Sequence, residues 1–226
     1  WAAKQRDVRA LCDYVVEWWF DNRQKGSGAL EGHWEDDCET LRLWSITTFA
    51  CGNERIKDGI RKLVNGIWKH GGLVNGYDRQ MKDVEHSSEM TSDSSVILGL
   101  DYGDPLQFER FLQTVKTTAD VHTGVNEHGH RHFKSIKMSA TEVRENGLDS
   151  NYHGRAMRPA AMIAWYANLK PAVDLVHSWA KSWSEDTLRA GEKKPAGVLP
   201  AVVRFADDNV DGHGDWLARR VGPLYV

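Results

Sequence analysis

The sequence lacks an excess of basic residues and lacks any long apolar segment. Its 29 lysines and arginines are outnumbered by 32 aspartates and glutamates, so the 226-residue chain carries a formal net charge of −3 at pH 7. A protein that binds nucleic acid by releasing counterions from phosphates needs a basic surface, which this composition does not supply. No segment approaches the roughly 20 apolar residues that cross a bilayer. We therefore expect no nucleic-acid partner and no membrane span.

Cysteine is also scarce. Cys12, Cys38 and Cys51 are odd in number, and none has C-x-x-C spacing, so we expect neither a disulfide framework nor a thiolate zinc site. We interpret them as small buried residues on helices. The chain begins at Trp1 without a methionine or a signal peptide, and we interpret it as a mature or trimmed piece of a longer product. Removal of a signal peptide would be consistent with this start, so a secreted or periplasmic location is expected.

What the sequence has is one unit written three times. Each copy contains a cluster of ionisable residues, a mostly apolar-patterned stretch, a break, and a second amphipathic stretch. The clusters are Asp36–Asp37, His86–Glu89 and His153–Arg155, and the breaks are Gly52–Asn53, Gly103–Pro105 and Asn168–Pro171. Repeats of this size predict stacked helical hairpins. Because each cluster opens the first helix of its hairpin, parallel packing of those helices would gather the three clusters at one end.

The remaining segments predict simpler structure. Residues 4–24 have apolar side chains at helical spacing and predict a first helix. The polar, glycine-containing segment 73–83 predicts a loop, whereas the alternation within 122–150 predicts a short strand or ribbon. In the Gly/Pro-rich tail, residues 198–205 are expected to be extended. No linker divides the chain, so we expect residues 1–226 to form a single domain.

Ten tryptophans make the composition unusual. Those inside predicted helices are expected to lie mostly in the core, and they are Trp18, Trp19, Trp44, Trp68, Trp165, Trp179 and Trp183. Trp34 differs because it follows a Gly-rich loop and immediately precedes acidic residues. Since a flat aromatic face suits a sugar ring, Trp34 is the tryptophan expected to contact a ligand.

Helical hairpins that follow one another head to tail, with their first helices inside, resemble the (α/α) toroid of glycan-active enzymes. These include polysaccharide lyases and six-hairpin glycoside hydrolases. The resemblance covers about residues 4–190 as a pattern. It implies a mainly α fold in which repeated helical hairpins form an incomplete or partial toroid with a short β/loop insertion. Three hairpins are half of a six-hairpin toroid, so the chain is interpreted as part of a larger catalytic domain.

The third cluster has the richest chemistry. Asn151, Tyr152, His153, Arg155 and Arg158 fall at a predicted loop-to-helix junction, where packing does not require them. The resemblance to toroidal lyases implies that Asn or Arg neutralises a uronate carboxylate, that His or Tyr removes the neighbouring proton, and that Tyr protonates the leaving oxygen. We therefore expect His153, Tyr152 and Arg155 to be catalytic, and Asn151 and Arg158 to bind substrate. The alternative is a helix start whose His and Arg pair with nearby acids.

The second cluster offers another acid and base. His86 is a candidate base, and Glu89 could orient it or act as an acid, because an i to i+3 spacing places both on one helical face. Tyr77 and Arg79 precede this cluster and are candidate substrate-binding residues, with Tyr77 also a candidate acid. The alternative is an ordinary charged first turn favoured by the helix dipole.

The first cluster suggests hydrolysis instead. Asp36 and Asp37 follow Trp34, and paired carboxylates beside an aromatic residue are what a glycoside hydrolase needs. Adjacent acids point in different directions on a helix, so their catalytic partner would be a distant carboxylate such as Glu89. We expect Trp34, Asp36 and Asp37 to contact substrate. The alternative is capping of the helix N-terminus.

Two segments carry possible metal ligands. His128, His130 and His132 alternate, and on a strand they would share one face and could chelate zinc or another borderline metal. Further along, an opening of the D-x-N-x-D-G type resembles a calcium loop, although position twelve is Ala218 rather than glutamate. Its candidate calcium ligands are Asp207, Asn209, Asp211 and Asp215. A solvated acidic turn is the alternative.

These observations favour an enzyme that cleaves an acidic, uronate-containing polysaccharide by β-elimination. The expected partner is a polysaccharide or oligosaccharide substrate, and the mechanism requires no cofactor, with calcium the possible ion. A glycoside hydrolase that uses Asp36, Asp37 or Glu89 is the second hypothesis. A non-catalytic helical scaffold or sugar-binding module, in which the polar clusters merely cap helices, is the third.

Overall fold

The computed structural model describes residues 1–144 and 147–211, except for the side chains of residues 46–48, 50 and 51. The chain is mainly helical, with small two-stranded antiparallel sheets. Among the described residues, none of the helices combines the length and the apolar character that a membrane span requires. The mainly helical class is therefore confirmed, whereas the toroid stays a prediction.

The helices follow the predicted repeat. A leading helix, α1, spans Ala2–Asn22. The first hairpin consists of α2 (Trp34–Cys51) and α3 (Glu54–His70). The second consists of α4 (Val84–Ser94), α5 (Ile97–Leu100) and α6 (Pro105–Thr117), and a π-helical turn follows over Thr118–His122. The third consists of α7 (His153–Ala156), α8 (Arg158–Ala167) and α9 (Lys170–Leu188).

Helix starts are fixed by capping side chains. Asn53 accepts hydrogen bonds from the backbone N–H groups at the start of α3, and Asp83 and Asp104 do the same for α4 and α6. Each capping side chain satisfies backbone donors that have no partner within the helix. At the other end of a helix, Asn168 closes α8 in the left-handed conformation with φ 47°. The breaks that separate the repeats in sequence are therefore real helix ends.

The strands are short and lie between the hairpins. They are β1 (Leu73–Val74), β2 (Tyr77–Asp78), β3 (Lys82–Asp83), β4 (Thr123–Val125), β5 (Arg131–Phe133), β6 (Lys137–Met138), β7 (Leu148–Ser150) and β8 (Val202–Arg204). The antiparallel pairs are β1–β2, β3–β6, β4–β5 and β7–β8. The ribbon predicted within 122–150 and the extended tail are thus confirmed.

The predicted loop over residues 73–83 was wrong in detail, because β1 and β2 form a hairpin there. Asn75 and Gly76 occupy its two-residue turn with φ 51° and 85°. An Asn-Gly pair between short apolar strands is a strong signal for this hairpin, because both turn residues need positive φ. The turn packs closely, since a Cβ on Gly76 would lie 1.9 Å from the Thr114 hydroxyl oxygen.

The first helices of the three hairpins are neighbours, as the repeat predicted. Helix α4 packs between α2 and α7. Glu35 at the start of α2 pairs with Lys82, just before α4, while Arg42 two turns later pairs with Asp93 near the end of α4. This order of contacts shows that α2 and α4 run parallel. The packing therefore brings polar side chains of all three helices onto one surface.

The apolar core extends from α1 to α9, but α1 contributes little to it. Val16 and Phe20 are its buried apolar residues. The stripe predicted at helical spacing is exposed instead, and it comprises Val8, Leu11, Val15, Trp18 and Trp19. Cys12 on the same helix is also exposed, whereas Cys38 on α2 is buried as predicted. Trp165 is a further exception to the predicted tryptophan core, because its exposed fraction is 64%.

The loop that leads into α2 depends on Gly28. This residue has φ +99°, and a Cβ there would lie 2.1 Å from the Lys62 carbonyl oxygen on α3. We predict that Gly28→Ala lowers the free energy of unfolding by about 1–3 kcal/mol, because both the backbone and the contact resist a side chain. Denaturant unfolding measures the change. Gly26→Ala is the matched control, since a Cβ there has no atom within 4 Å among the described residues. Equal stability losses in the two variants would contradict the prediction.

Candidate functional site

Helix α4 carries a row of three buried acids. Glu85, Glu89 and Asp93 follow one another at intervals of four residues and therefore lie on one face of the helix. Their exposed fractions are 7%, 4% and 1%. Burial of ionised carboxylates is costly unless cations or hydrogen bonds compensate. This acid row, defined by the three residues, therefore needs a cationic partner.

Arg155 from α7 supplies that partner. Its guanidinium lies 2.5 Å from Glu85 Oε1, 3.7 Å from Glu89 Oε2 and 3.5 Å from Asp93 Oδ2. Arg42 from α2 and Arg158 from α8 also reach Asp93, at 3.2 Å and 3.3 Å. One arginine thus spans the whole acid row while two others compensate its far end. Planar guanidinium groups suit such multiple carboxylate contacts.

Glu89 is the acid whose protonation changes near neutral pH. Burial raises its pKa to about 7, against the opposing charges of His86 and Arg155, while Glu35 and Glu39 raise it further. Burial similarly raises the pKa of Asp93 to about 6, although three arginines oppose the change. A carboxyl group with a pKa near 7 can donate a proton at neutral pH, as general acids do.

His86 lies beside Glu89 and is oriented by Asp83. Its Nδ1 is 2.9 Å from Asp83 Oδ1 and 3.0 Å from Oδ2, and its side chain is 38% exposed. Burial alone would lower the pKa of His86, but the hydrogen bond and the charge of Asp83 raise it. Asp83 has a lowered pKa despite its own burial, because His86 bonds to it. Since Asp83 also caps α4, the start of the helix fixes the position of this His–Asp pair.

Two open cavities border this surface, and together we call them the groove. The first has a volume of about 550 Å³, and its lining includes Trp34, Glu35, His70, Arg79, Lys82 and Met90. The second has a volume of about 440 Å³, and its lining includes Arg42, Asp93, Arg155, Arg158 and Trp179. Glu35 and Arg42 lie seven residues apart on α2, which corresponds to about 10 Å along the helix axis. The groove thus has the length of a short oligosaccharide segment rather than of a single small ion.

The first cavity has an aromatic and a cationic wall. Trp34 stacks on His70 with ring centroids 6.0 Å apart and planes 17° from parallel. It approaches α3 closely because Gly66 has no side chain, and a Cβ there would lie 2.7 Å from the indole. Arg79 is exposed at the rim. The predictions that Trp34 and Arg79 face a ligand are therefore consistent with where the structure places them.

The structure unites some predicted site residues and separates others. His86, Glu89, Arg155 and Arg158 meet at the groove. His153 does not, because it is fully buried, with Nε2 3.0 Å from the Ser135 carbonyl oxygen and Nδ1 2.8 Å from Asp149 Oδ1. A side chain held in this way has no atom exposed to a substrate. We therefore correct the assignment of His153 from catalytic base to interior residue.

Asp37 and Tyr77 are also interior. Asp37 accepts hydrogen bonds from the backbone N–H groups of Leu30 and Gly32, at 2.7 Å and 3.1 Å, and so organises the loop before α2. The Tyr77 hydroxyl lies 2.6 Å from Thr118 Oγ1, and burial raises its pKa far above the neutral range. Both expected roles at substrate are corrected for this reason. Asp36, Asn151 and Tyr152 are exposed, but they are not among the side chains that line the groove.

The calcium loop does not assemble among the described residues. Asp207 pairs with Arg204, while Asp211 accepts backbone hydrogen bonds from Glu192 and Lys193. The Asn209 side chain accepts a bond from the Asp211 N–H. Their oxygens are therefore used in separate local contacts, which replaces the predicted ion with a turn. Asp215 lies outside the described residues.

The main residues that the sequence reading missed are Glu85, Asp93 and Arg42. Acids repeated at intervals of four along α4 were a usable signal, because they require one face of the helix to be polar. Their burial could not be read from that spacing alone. It arises because α2 and α7 cover this face.

Comparisons with protein-family models, with curated protein sequences and with solved structures found no match for this chain. Its function is therefore inferred from the geometry of the groove.

The first prediction from the site concerns Arg155. Its replacement by alanine leaves three buried acids short of positive charge, and we expect a loss of about 3–5 kcal/mol in the free energy of unfolding at pH 8. Denaturant unfolding measures the loss. Arg23→Ala is the control, because Arg23 and Glu31 form an exposed ion pair that is worth at most about 1 kcal/mol. A loss from Arg155→Ala no larger than that of the control would contradict the compensating role.

The second prediction concerns pH. The folded pKa of Glu89, about 7, lies above its ordinary value of 4.5. Its contribution to stability is therefore fully present below about pH 4.5 and is lost as pH rises towards 7 and beyond. Relative to Glu89→Gln, the wild type should lose on the order of 3 kcal/mol between these limits. Urea unfolding across this range tests the difference, and parallel pH profiles for the two proteins would refute it.

Proposed function

We propose that the groove belongs to a carbohydrate-active enzyme that cleaves a uronate-containing polysaccharide by β-elimination. The observation that carries the proposal is the placement of Glu89, buried with a pKa of about 7, beside the His86–Asp83 pair. We further propose that the hairpins form part of an (α/α) toroid, and the parallel packing of α2 and α4 supports this.

β-Elimination needs three groups in one place. A cation must neutralise the uronate carboxylate, a base must remove the proton from the carbon beside it, and an acid must protonate the leaving oxygen. The proton passes from carbon to the base, its bonding electrons form the new carbon–carbon double bond, and the glycosidic bond breaks towards oxygen. A proton from the acid then completes the leaving hydroxyl, so no external oxidant or nucleophile is needed.

His86 is the proposed base and Glu89 the proposed acid. Asp83 fixes the orientation of the imidazole, as carboxylates do for catalytic histidines. Glu89 is protonated in a large fraction of molecules near pH 7 because of its raised pKa. These assignments replace His153 and Tyr152, which the sequence favoured. The roles move from the third cluster to the second while the reaction stays the same.

Arg79 and Trp34 are the proposed binding residues. Arg79 is exposed at the first cavity and forms no ion pair among the described residues, so its guanidinium is available to a carboxylate. Trp34 offers a flat face for a sugar ring in the same cavity. Arg155 has a different role, because three acids already engage it. We propose that Arg155 positions Glu89 rather than binding substrate.

Hydrolysis is the second candidate, and one observation favours it. Carboxylate oxygens of Glu39, Glu85 and Glu89 lie within 4.8 Å of one another. Retaining glycosidases place an acid and a nucleophile about 5 Å apart. Glu39 is exposed, so it could remain ionised while Glu89 is protonated. A scaffold without catalysis has less support, since helix capping alone does not require a buried acid row.

The test is an assay of the purified chain on a panel of uronate polysaccharides. Elimination gives an unsaturated product that absorbs in the ultraviolet, whereas hydrolysis gives new reducing ends without that absorbance. We expect ultraviolet-absorbing product, and a decrease in kcat of at least about 100-fold for both Glu89→Gln and His86→Gln. Glu109→Gln is the matched control, because Glu109 is exposed on α6.

Each result has a defined meaning. Reducing ends without ultraviolet absorbance would replace elimination with hydrolysis. Product formation that survives both Glu89→Gln and His86→Gln would remove these residues from the mechanism. Absence of both signals across the panel, with a folded chain, would overturn the proposed activity.

A further inference from the structure

A second polar centre lies away from the groove, where the β4–β5 hairpin, α9 and the segment after β8 meet. His130 and His132 come from the hairpin, Asp186 from α9, and Asp208 from the segment after β8. One nitrogen or oxygen atom from each lies within 4.8 Å of the others. The side chains of His132, Asp186 and Asp208 are at most 1% exposed, and that of His130 is 21% exposed. The four groups thus surround a point shielded from solvent.

The spacing of these atoms suits a small ion. His130 Nδ1 lies 2.8 Å from Asp208 Oδ2, while His132 Nε2 lies 3.3 Å from Asp186 Oδ2 and 3.5 Å from Asp208 Oδ1. Tetrahedral zinc binds nitrogen and oxygen ligands at about 2.0–2.2 Å, which places neighbouring ligand atoms about 3.3 Å apart. The measured separations are scattered around this value.

The atoms that face the centre lack hydrogen bonds. His130 Nδ1, His132 Nε2 and Asp186 Oδ2 are buried and have no hydrogen-bond partner among the described residues. The opposite atoms are occupied, since His132 Nδ1 lies 3.0 Å from Asp149 Oδ2 and Asp186 Oδ1 accepts a bond of 2.6 Å from Arg189. Buried polar atoms are normally satisfied. The vacancy in hydrogen bonding is therefore confined to the side that the four residues share.

A supporting shell holds His132 in place. Asp149 accepts hydrogen bonds from the indole N–H groups of Trp179 and Trp183, at 3.0 Å and 2.9 Å, as well as facing His132. A carboxylate behind a histidine is the usual arrangement for metal-binding imidazoles, because it fixes the tautomer and the ring orientation. The buried indole N–H groups that fix Asp149 give this shell little freedom to move.

We propose that His130, His132, Asp186 and Asp208 bind one zinc ion in a closed, structural site. Two imidazoles with two carboxylates suit a borderline divalent metal better than calcium or magnesium, which prefer oxygen ligands alone. Four protein ligands leave no open position, which is typical of structural rather than catalytic zinc. The ion would tie α9 and the segment after β8 to the β4–β5 hairpin. It is independent of the reaction proposed for the groove.

The competing arrangement is an ion pair network without metal. Burial lowers the pKa of His132, but the carboxylates of Asp149 and Asp186 raise it to about 9, so without an ion it would be protonated. His128 and Asn126 also contact Asp208, and Glu185 lies 3.0 Å from His130 Nε2. Direct metal binding distinguishes the two arrangements.

The experiment measures zinc binding to the full chain after treatment with a chelator. We expect one equivalent of zinc in competition with a chromophoric chelator, an increase in Tm when zinc alone is added, and the visible spectrum of tetrahedral cobalt(II) when cobalt replaces it. His130→Gln and Asp186→Asn should each weaken zinc binding by at least about 100-fold, since even changes behind the ligands cost 10–100-fold. His130 is partly exposed, so its variant is the one expected to fold, and circular dichroism checks this.

Two control variants locate the ion. His177→Gln removes an exposed histidine from α9, and Glu89→Gln alters the groove acids. Both should keep the wild-type affinity. Absence of zinc binding and of any change in Tm would overturn the site, as would an octahedral cobalt spectrum. Loss of zinc in Glu89→Gln but not in His130→Gln would place the ion at the groove and contradict the proposal.

Discussion

The structure depends most on the contact between Arg155 and the acid row of α4. Three carboxylates on one helical face would be prohibitively costly to bury alone. Arg155 makes their burial tolerable, and so allows α4 to lie between α2 and α7. The compensation is incomplete at Glu89, whose pKa stays near 7. Burial that the fold requires for packing is therefore also what gives this residue a proton to donate.

One short segment connects the two polar centres. Asp149 on β7 holds His132 through a hydrogen bond, and Arg155 on α7 spans the acid row, only six residues later. Between them, the buried His153 bridges Asp149 and the Ser135 carbonyl oxygen. This explains why the segment is rich in functional residue types although its histidine is interior. It positions both centres and exposes little of itself.

The sequence predicted the helices well because their signals are local. Apolar periodicity marked the hairpins, and residues such as Asp104, Pro105 and Asn168 fix their ends. Site residues were predicted less well, since residue type does not reveal direction. His153 and Asp37 have suitable chemistry but point inward, whereas Glu85 and Asp93 are functional neighbours only because α2 and α7 cover them. The long-range packing that decides burial is not written in any single segment.

The most direct test of this account is the pKa of Glu89 in the folded protein. Nuclear magnetic resonance of carboxyl-labelled glutamate, with Glu89→Gln used to assign the signal, measures it without requiring a substrate. The account expects a value of about 7, and a higher value in Arg155→Ala because a stabilising positive charge is lost. A value near 4.5, the ordinary pKa of a glutamate, would show that the acid row is solvated, and would contradict both the packing argument and the proposed proton donor.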